Sequence, residues 1–434
     1  MRYSIIIPAF NVEDYIGRCI QSVLEQTIND YELIIVDDGS TDGTLNVLNR
    51  IKATDNRIKV IEKDHTNAGD ARNMALEMAV GEWLVFIDAD DIVNCNLLKK
   101  AEEIIEKESC DLISFRACAF DEVSGIKIAL DWVFKDDIVP DDNPFEVRNH
   151  KKSIFQMFST NIWNKIVKRE LVVNENIKFS SLDDANDELF GSMILACSKR
   201  IAYINESLYF YRVNTGKSTQ DNAKKNTSLC FIEALRQIRV LLNNKDLYST
   251  YESSYLDKVI VESVNALLRE KEWERFKYVY DAIQKLINKE LKIPKTYYIS
   301  DEHYRTWFSY IANKTAEELM FYFYTQKDWE EINMKDWAIP YDRIKGKRLI
   351  LFGAGNIGQS FYKQLQRCKD VNVVKWVDSD SEKYKKIGLE VNDIDEISDT
   401  VFDLLLVAIK DGKNNVDLKR KINELVKGKE IIFI

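Results

Sequence analysis

Residues 3–40 read YSIIIPAFNVEDYIGRCIQSVLEQTINDYELIIVDDGS, and this stretch decides the fold. The run at 3–7 is almost wholly apolar and stops at Pro8, the pattern of a buried strand. Residues 13–28 switch to helical spacing, with Ile16, Ile20, Val23 and Leu24 on one face. YELIIV at 31–36 is a second strand, closed by Asp37-Asp38-Gly39-Ser40. Working outward, residues 42–53 are helical, IKVIE at 58–62 is a strand, about 70–80 a helix, and EWLVFI at 82–87 a strand. Strands alternating with helices predict βαβ units in an α/β fold with a mostly parallel sheet.

Further along, residues 97–108 read as a helix, 111–118 as a strand, 153–172 and 184–198 as helices, and 201–211 as a strand. The pattern weakens between 119 and 150, where Asp136 to Asp142 read as a solvated loop. Residues 221–245, 250–292 and 303–326 read as helices, and aromatics such as Trp307, Phe308 and Tyr310 suit a core or a subunit interface, with a membrane-facing patch as the alternative. After Pro340 the alternation resumes, with about four strands at 348–352, 372–377, 402–409 and 430–434. The expected division is an α/β domain at 1–220, a helical linker, acceptor or oligomerisation region at 221–345, and a small α/β domain at 346–434.

The composition narrows the function. The chain has 434 residues, 45% hydrophobic and 30% charged, which is ample for globular cores. Its net charge of −10 argues against non-specific nucleic-acid binding, which relies on neutralising phosphates. The seven cysteines form no CxxC pair and read as reduced, mostly buried thiols in a cytosol. No leader is visible, and no apolar run approaches the ~20 residues of a spanning helix. The expectation is a cytoplasmic protein, with peripheral contact at the inner face of a membrane and a homo-oligomer both left open.

In an open parallel sheet, ligands bind beyond the carboxyl ends of the strands. Here those ends present Pro8-Ala9-Phe10-Asn11, Asp37-Asp38-Gly39-Ser40, Asn67 through Asn73, and Asp88-Ala89-Asp90-Asp91. Carboxylates gathered that closely repel unless a cation sits among them. A hard divalent ion bridging a diphosphate meets that need.

The ordered set SIIIPAFNVEDYIGRCIQSVLEQTINDYELIIVDDGSTDGT at 4–44 and GEWLVFIDADD at 81–91 resembles the family 2 glycosyltransferases, which have the GT-A fold. The resemblance covers roughly residues 3–220. It implies that Pro8 and Phe10 line a nucleotide-base pocket and that Asp38 accepts from the base, a uracil in a UDP-sugar. It implies further that Asp88 binds ribose, that Asp90 of the Asp-x-Asp motif ligates Mn²⁺ or Mg²⁺, and that Asn67 and Arg72 belong to a loop that closes on the nucleotide. That loop is a residue or two shorter here than in the family. The family's base is the Asp of a Glu-Asp pair opening a helix, which maps to Asp187, with Asn186 in place of the Glu. Asp184 and Glu188 are the alternatives. Ile162-Trp163-Asn164-Lys165 shapes the acceptor side, and Arg212, followed by Ser218, meets the diphosphate or makes a plain salt bridge. For Asp42 the preferred reading is a turn cap, and Asp91 is divided between a supporting role and a cap. His65, His150 and His303 have no ligand spacing and read as structural or exposed.

The implied activity is inverting transfer of a hexose or N-acetylhexosamine to a glycan acceptor, lipid-linked ones included, in cell-surface polysaccharide synthesis. Two alternatives stand beside it: a sugar nucleotidyltransferase, and a non-catalytic sugar-nucleotide-binding scaffold. In the C-terminal domain, Gly353-Ala354-Gly355-Asn356-Ile357-Gly358 lies between a strand and a helix, with Asp378 ending the next strand. This is the pattern of a dinucleotide fingerprint. It resembles the small Rossmann-like domains appended to bacterial polysaccharide-synthesis proteins. Ligand binding and a structural role both remain open for it.

Overall fold

The computed structural model describes all residues except 121–126, 214–228, 271, 326–343, 368–370, 387, 410–415, 427 and 434. The expectations for Ser218, Pro340 and Cys368 lie outside the described residues. Two compact units emerge, one of Met1–Ala117 with Leu130–Thr325, the other of Cys118–Ala129 with Gln326–Ile434.

In the first unit, β1 (Tyr3–Ala9), β2 (Tyr31–Asp37), β3 (Ile58–Glu62) and β4 (Trp83–Phe86) pair in parallel in the order β3-β2-β1-β4. Every residue of β2 and β4 is buried, as expected of parallel strands covered on both faces. Three helices cover them: α1 (Ile16–Leu24), α2 (Thr44–Lys52) and α3 (Ala68–Met78). One boundary differs from expectation. β1 does not stop at Pro8 but continues through it, with Pro8 opposite Val36. Pairing to β4 ends at Ile6–Phe86, so at Pro8 the strand has a neighbour on one side only, where a missing N–H is tolerated.

The sheet continues antiparallel beyond β4. β5 (Ile92–Val93) precedes α4 (Leu97–Ile105); then come β6 (Leu112–Phe120), β7 (Lys127–Ala129) and β8 (Phe145–Glu146). The expected helix 153–172 is instead α5 (Ile154–Met157), β9 (Lys165–Lys168) and α6 (Arg169–Asn174). β9 lies between β4 and β6 and pairs antiparallel to both, so ladder hydrogen bonds on two sides outweigh the local helical spacing. α7 (Asn186–Cys197) leads into β10 (Arg200–Arg212), whose end pairs with β5. The helices Cys230–Asn244 and Tyr248–Arg269 belong to this same unit and pack on α7 and α5. Trp307 and Phe308 are buried, in keeping with a core reading. Among the described residues no helix is long and apolar enough to cross a membrane.

The second unit holds a parallel sheet of five strands, one more than expected: β11 (Arg348–Phe352), β12 (Asn372–Asp378), β13 (Asn392–Asp393), β14 (Leu404–Val407) and β15 (Glu430–Phe433). Their order is β13-β12-β11-β14-β15, with one apolar cluster around Leu351 and Trp376 and another around Phe352 and Val407. β13 escaped notice because its two residues, Asn392 and Asp393, carry no apolar run.

Candidate active site

The carboxyl ends of β1, β2, β3 and β4 bring the expected residues to one edge. At the first corner, Asn11 takes a left-handed conformation, φ 51°, and accepts from Thr41 N at 2.7 Å, tying the β1 end to the β2 end. Asp42 acts as expected of a turn, accepting from Thr44 N at 2.9 Å and Glu13 N at 3.2 Å.

Asp38 is buried beyond β2. Its carboxylate accepts from Lys63 Nζ and from Thr66 N at 3.1 Å, and it lies 2.8 Å from His65 Nδ1. His65 in turn stacks on Phe10, ring centroids 3.9 Å apart and planes 13° from parallel. This approach needs Gly39, whose φ is 72° and whose position would put a Cβ 2.7 Å from His65 N. His65 is about half exposed, in keeping with the expectation, and the structure adds its place against two expected site residues. No spacing rule could have found it, because its partners come from the ends of other strands.

Asn67 caps α3: Oδ1 accepts from Asp70 N at 2.9 Å, and Nδ2 reaches Asp70 Oδ2 at 2.9 Å and Ser181 O at 3.4 Å. Asn73 exchanges two hydrogen bonds with the Phe179 backbone, 2.9 and 3.0 Å. A Cβ on Gly69 would stand 2.1 Å from Ser180 O, so only glycine lets α3 meet this segment. From α3 the buried Arg72 donates to Asp88 Oδ1 at 2.7 Å and to Asn186 Oδ1 at 2.9 Å. Arg72 Nε is buried and has no acceptor among the described residues. Arg72 thus joins the β4 end to the start of α7, and it does so through the Asn that stands where the family has Glu.

Asp91 is fully buried and accepts from Tyr209 Oη at 2.6 Å and Arg212 N at 2.7 Å. It pins the end of β10 and is spent on that support. Arg212 donates from Nε to the Asp90 carbonyl at 2.6 Å and lies 5.0 Å from the Tyr15 ring centre. The Asp90 carboxyl is pushed up to about 6 by its burial and by the charge of Asp88.

That crowding of negative charge is what a divalent cation would relieve, and hard carboxylate oxygens suit Mn²⁺ or Mg²⁺. Among the described residues no group of three His, Cys, Asp or Glu side chains could hold a metal by itself. Asp90, crowded by Asp88, is the carboxylate of this set that could hold such an ion.

Asp187 lies in the first turn of α7, beside Glu188. Burial, together with the charges of Glu188 and Asp88 and against that of Arg72, raises the Asp187 carboxyl to about 7. Glu188 is bound elsewhere, to Thr160 Oγ1 at 2.8 Å and Lys258 Nζ at 2.6 Å. Lys165, the last residue of the expected acceptor-side motif, is fully buried with Nζ donating to Ser159 O at 2.6 Å and Asn164 Oδ1 at 2.8 Å. Lys258 went unnoticed in the sequence because one lysine in a long amphipathic helix carries no signal.

In the second unit, Ala354 N in the glycine turn donates to Asp378 Oδ2 at 2.7 Å, and Trp376 Nε1 donates to Gly353 O at 2.7 Å. The acid of the fingerprint is thus occupied within its own turn.

The model of glycosyl transferase family 2 matches residues 4–158, and a second family model, C2185-like, N-terminal, matches 345–432. Glycosyltransferase GlyA of Streptococcus pneumoniae serotype 4 is 27% identical over 221 residues, 50% of this chain and 31% of that protein. The poly(ribitol-phosphate) beta-N-acetylglucosaminyltransferase TarS of Staphylococcus aureus strain Mu50 is 27% identical over 269 residues, 61% of this chain and 44% of TarS. The chain therefore spans less than half the length of these curated relatives. The crystal structure of S. aureus TarS 1–349 in complex with UDP-GlcNAc superposes with a TM-score of 0.57 at 20% identity, covering 76% of this chain and 92% of that one. The strand-end motifs, the sheet that gathers them and these likenesses agree: the chain carries a family 2 glycosyltransferase domain on a GT-A fold.

Proposed function

We propose that this chain is an inverting glycosyltransferase that moves a hexose or N-acetylhexosamine from a UDP-sugar to a glycan acceptor in cell-surface polysaccharide synthesis. The observation that carries it is the bridge from Asp88 through Arg72 to Asn186, which sets Asp187 beside the strand-end carboxylates. The names of the relatives support the polysaccharide acceptor, and the UDP-GlcNAc bound to TarS supports the donor class.

The residues divide the work as follows. The nucleobase lies against the stacked Phe10–His65 pair, with Pro8 lining the same pocket and Asp38, which holds His65, accepting from the base. Asp88 meets the ribose. Arg72 Nε, Asn67 and Arg212 are donors toward the nucleotide, and Arg212 is already fixed at the edge by Asp91. Asp187 accepts the proton of the acceptor hydroxyl as its oxygen attacks the anomeric carbon from the face opposite the leaving group. The new carbon–oxygen bond forms as the bond to the diphosphate breaks, which inverts the centre. A divalent cation at Asp90 would neutralise charge on the departing diphosphate.

The test is binding and hydrolysis of a panel of nucleotide sugars, with and without Mn²⁺, by the wild type and Asp90→Ala. The expected result is one UDP-sugar that binds with metal and is lost in Asp90→Ala. Metal-independent binding without turnover on any acceptor would favour a scaffold instead.

A further inference from the structure

Asp187 and Glu188 are consecutive carboxylates in the first turn of one helix, and either could take a proton from an acceptor. Their surroundings differ. Glu188 Oε2 accepts from Thr160 Oγ1 at 2.8 Å and pairs with Lys258 Nζ at 2.6 Å. Lys258 comes from the helix Tyr248–Arg269, far beyond the family 2 match, and is buried to 4% exposure. Its Nζ also donates to Thr160 Oγ1 at 3.3 Å, which closes a triangle of three side chains. Glu262, one turn on, is a second and weaker partner at 3.6 Å.

Of the other groups around the pair, Lys165 also favours the ionised form of Glu188, as a smaller contributor than Lys258. Arg72, from α3, is committed to Asp88 and Asn186. Lys165, from β9, spends its donors on Ser159 O, Asn161 O and Asn164 Oδ1, none of them a carboxylate. Asp88, beyond β4, adds negative charge that also raises Asp187.

We propose that Lys258 is a positioning residue that assigns the base: by holding the charge of Glu188 on Thr160, it leaves Asp187 as the carboxylate that receives the acceptor's proton. The inference rests on the transfer reaction proposed above. Two directions agree with it. Lys258 and Thr160 hold the Glu188 carboxyl below its usual range against the cost of burial, while the charge of Glu188 adds to the burial that raises Asp187. A buried carboxylate is kept ionised only by such pairing. The helix Tyr248–Arg269 thereby takes part in the chemistry without touching substrate.

The test is the pH profile of kcat/KM for the full chain, with the nucleotide sugar that the panel identifies. Without Lys258, Glu188 takes up a proton, Asp187 loses its negative neighbour, and the acidic limb moves down by about one pH unit. Lys258→Met and Glu188→Gln should each show that shift, and Lys258→Arg should restore the wild-type limb. In the Glu188→Gln background, Lys258→Met should move the limb no further, since the lysine acts through Glu188. That double variant removes both members of the 2.6 Å pair, so it keeps the test alive if Lys258→Met fails to fold. Uniform loss of activity with an unmoved limb in Glu188→Gln and in the double variant would overturn the proposal and leave Lys258 a packing residue. Retained turnover in Asp187→Asn with loss in Glu188→Gln would overturn it as well, by making Glu188 the base. A wild type that turns over no nucleotide sugar would instead defeat the functional reading itself, and this inference with it.

Discussion

Asp187 carries the sharpest expectations. A base must be ionised to accept a proton, and this carboxyl is raised to about 7 rather than lowered. Protonation below that value removes the base, so kcat/KM is expected to fall about tenfold per unit as pH drops below about 7. A rate that stays flat to pH 5 would count against Asp187. His65 offers a separate check. If the base stacks on the Phe10–His65 pair, His65→Ala should raise the donor Kd about 2- to 10-fold by titration, the range of one aromatic contact, and leave kcat nearly unchanged. The motif residues at strand ends were legible in the sequence because the family's order and spacing carry them. His65, Lys63, Thr160 and Lys258 were not, since each owes its place to a partner distant in sequence.

At the scale of elements, the site depends on α3 and the segment before α7 standing close. Gly69 sets that distance, because an added Cβ would meet the Ser180 carbonyl at 2.1 Å and backbone cannot swing aside. Gly69→Ala should cost about 1–3 kcal/mol in chemical denaturation and lower kcat through the displaced start of α7. Unchanged stability and activity would show that the two elements are not locked as described. The parallel half of the sheet was readable from alternation, since each strand is a short apolar run followed by its own covering helix. In the antiparallel half the long strands β6 and β10 were also readable, from 111–118 and 201–211, but the short ones were not. β7, β8 and β9 are two to four residues long, and short apolar runs do not separate strand from helix. The residues at 165–168 became a strand because β4 and β6 present open edges to them.

At the scale of the whole molecule, the proposed chemistry is confined to the first unit, while the glycine turn of the second is closed on itself by Asp378. Asp378→Ala should therefore destabilise the protein by about 1–3 kcal/mol, from the stranded Ala354 and Asp380 amides, and leave donor turnover intact. Loss of donor binding with unchanged thermal stability would instead give that turn a ligand. The glycine spacing pointed to a strand–turn–helix, and the second unit has one. What the spacing could not convey is that the acid meets its own turn.

The central claim is that Asp187 takes the acceptor's proton in a sugar transfer, and the most direct measurement compares wild type with Asp187→Asn for donor Kd and for turnover under identical metal and pH. The substitution removes the basic oxygen while keeping size and shape. The expected result is a donor Kd within about twofold of wild type and a turnover lower by about 10²–10⁴-fold. Turnover equal to wild type, with the donor bound as tightly, would contradict the account.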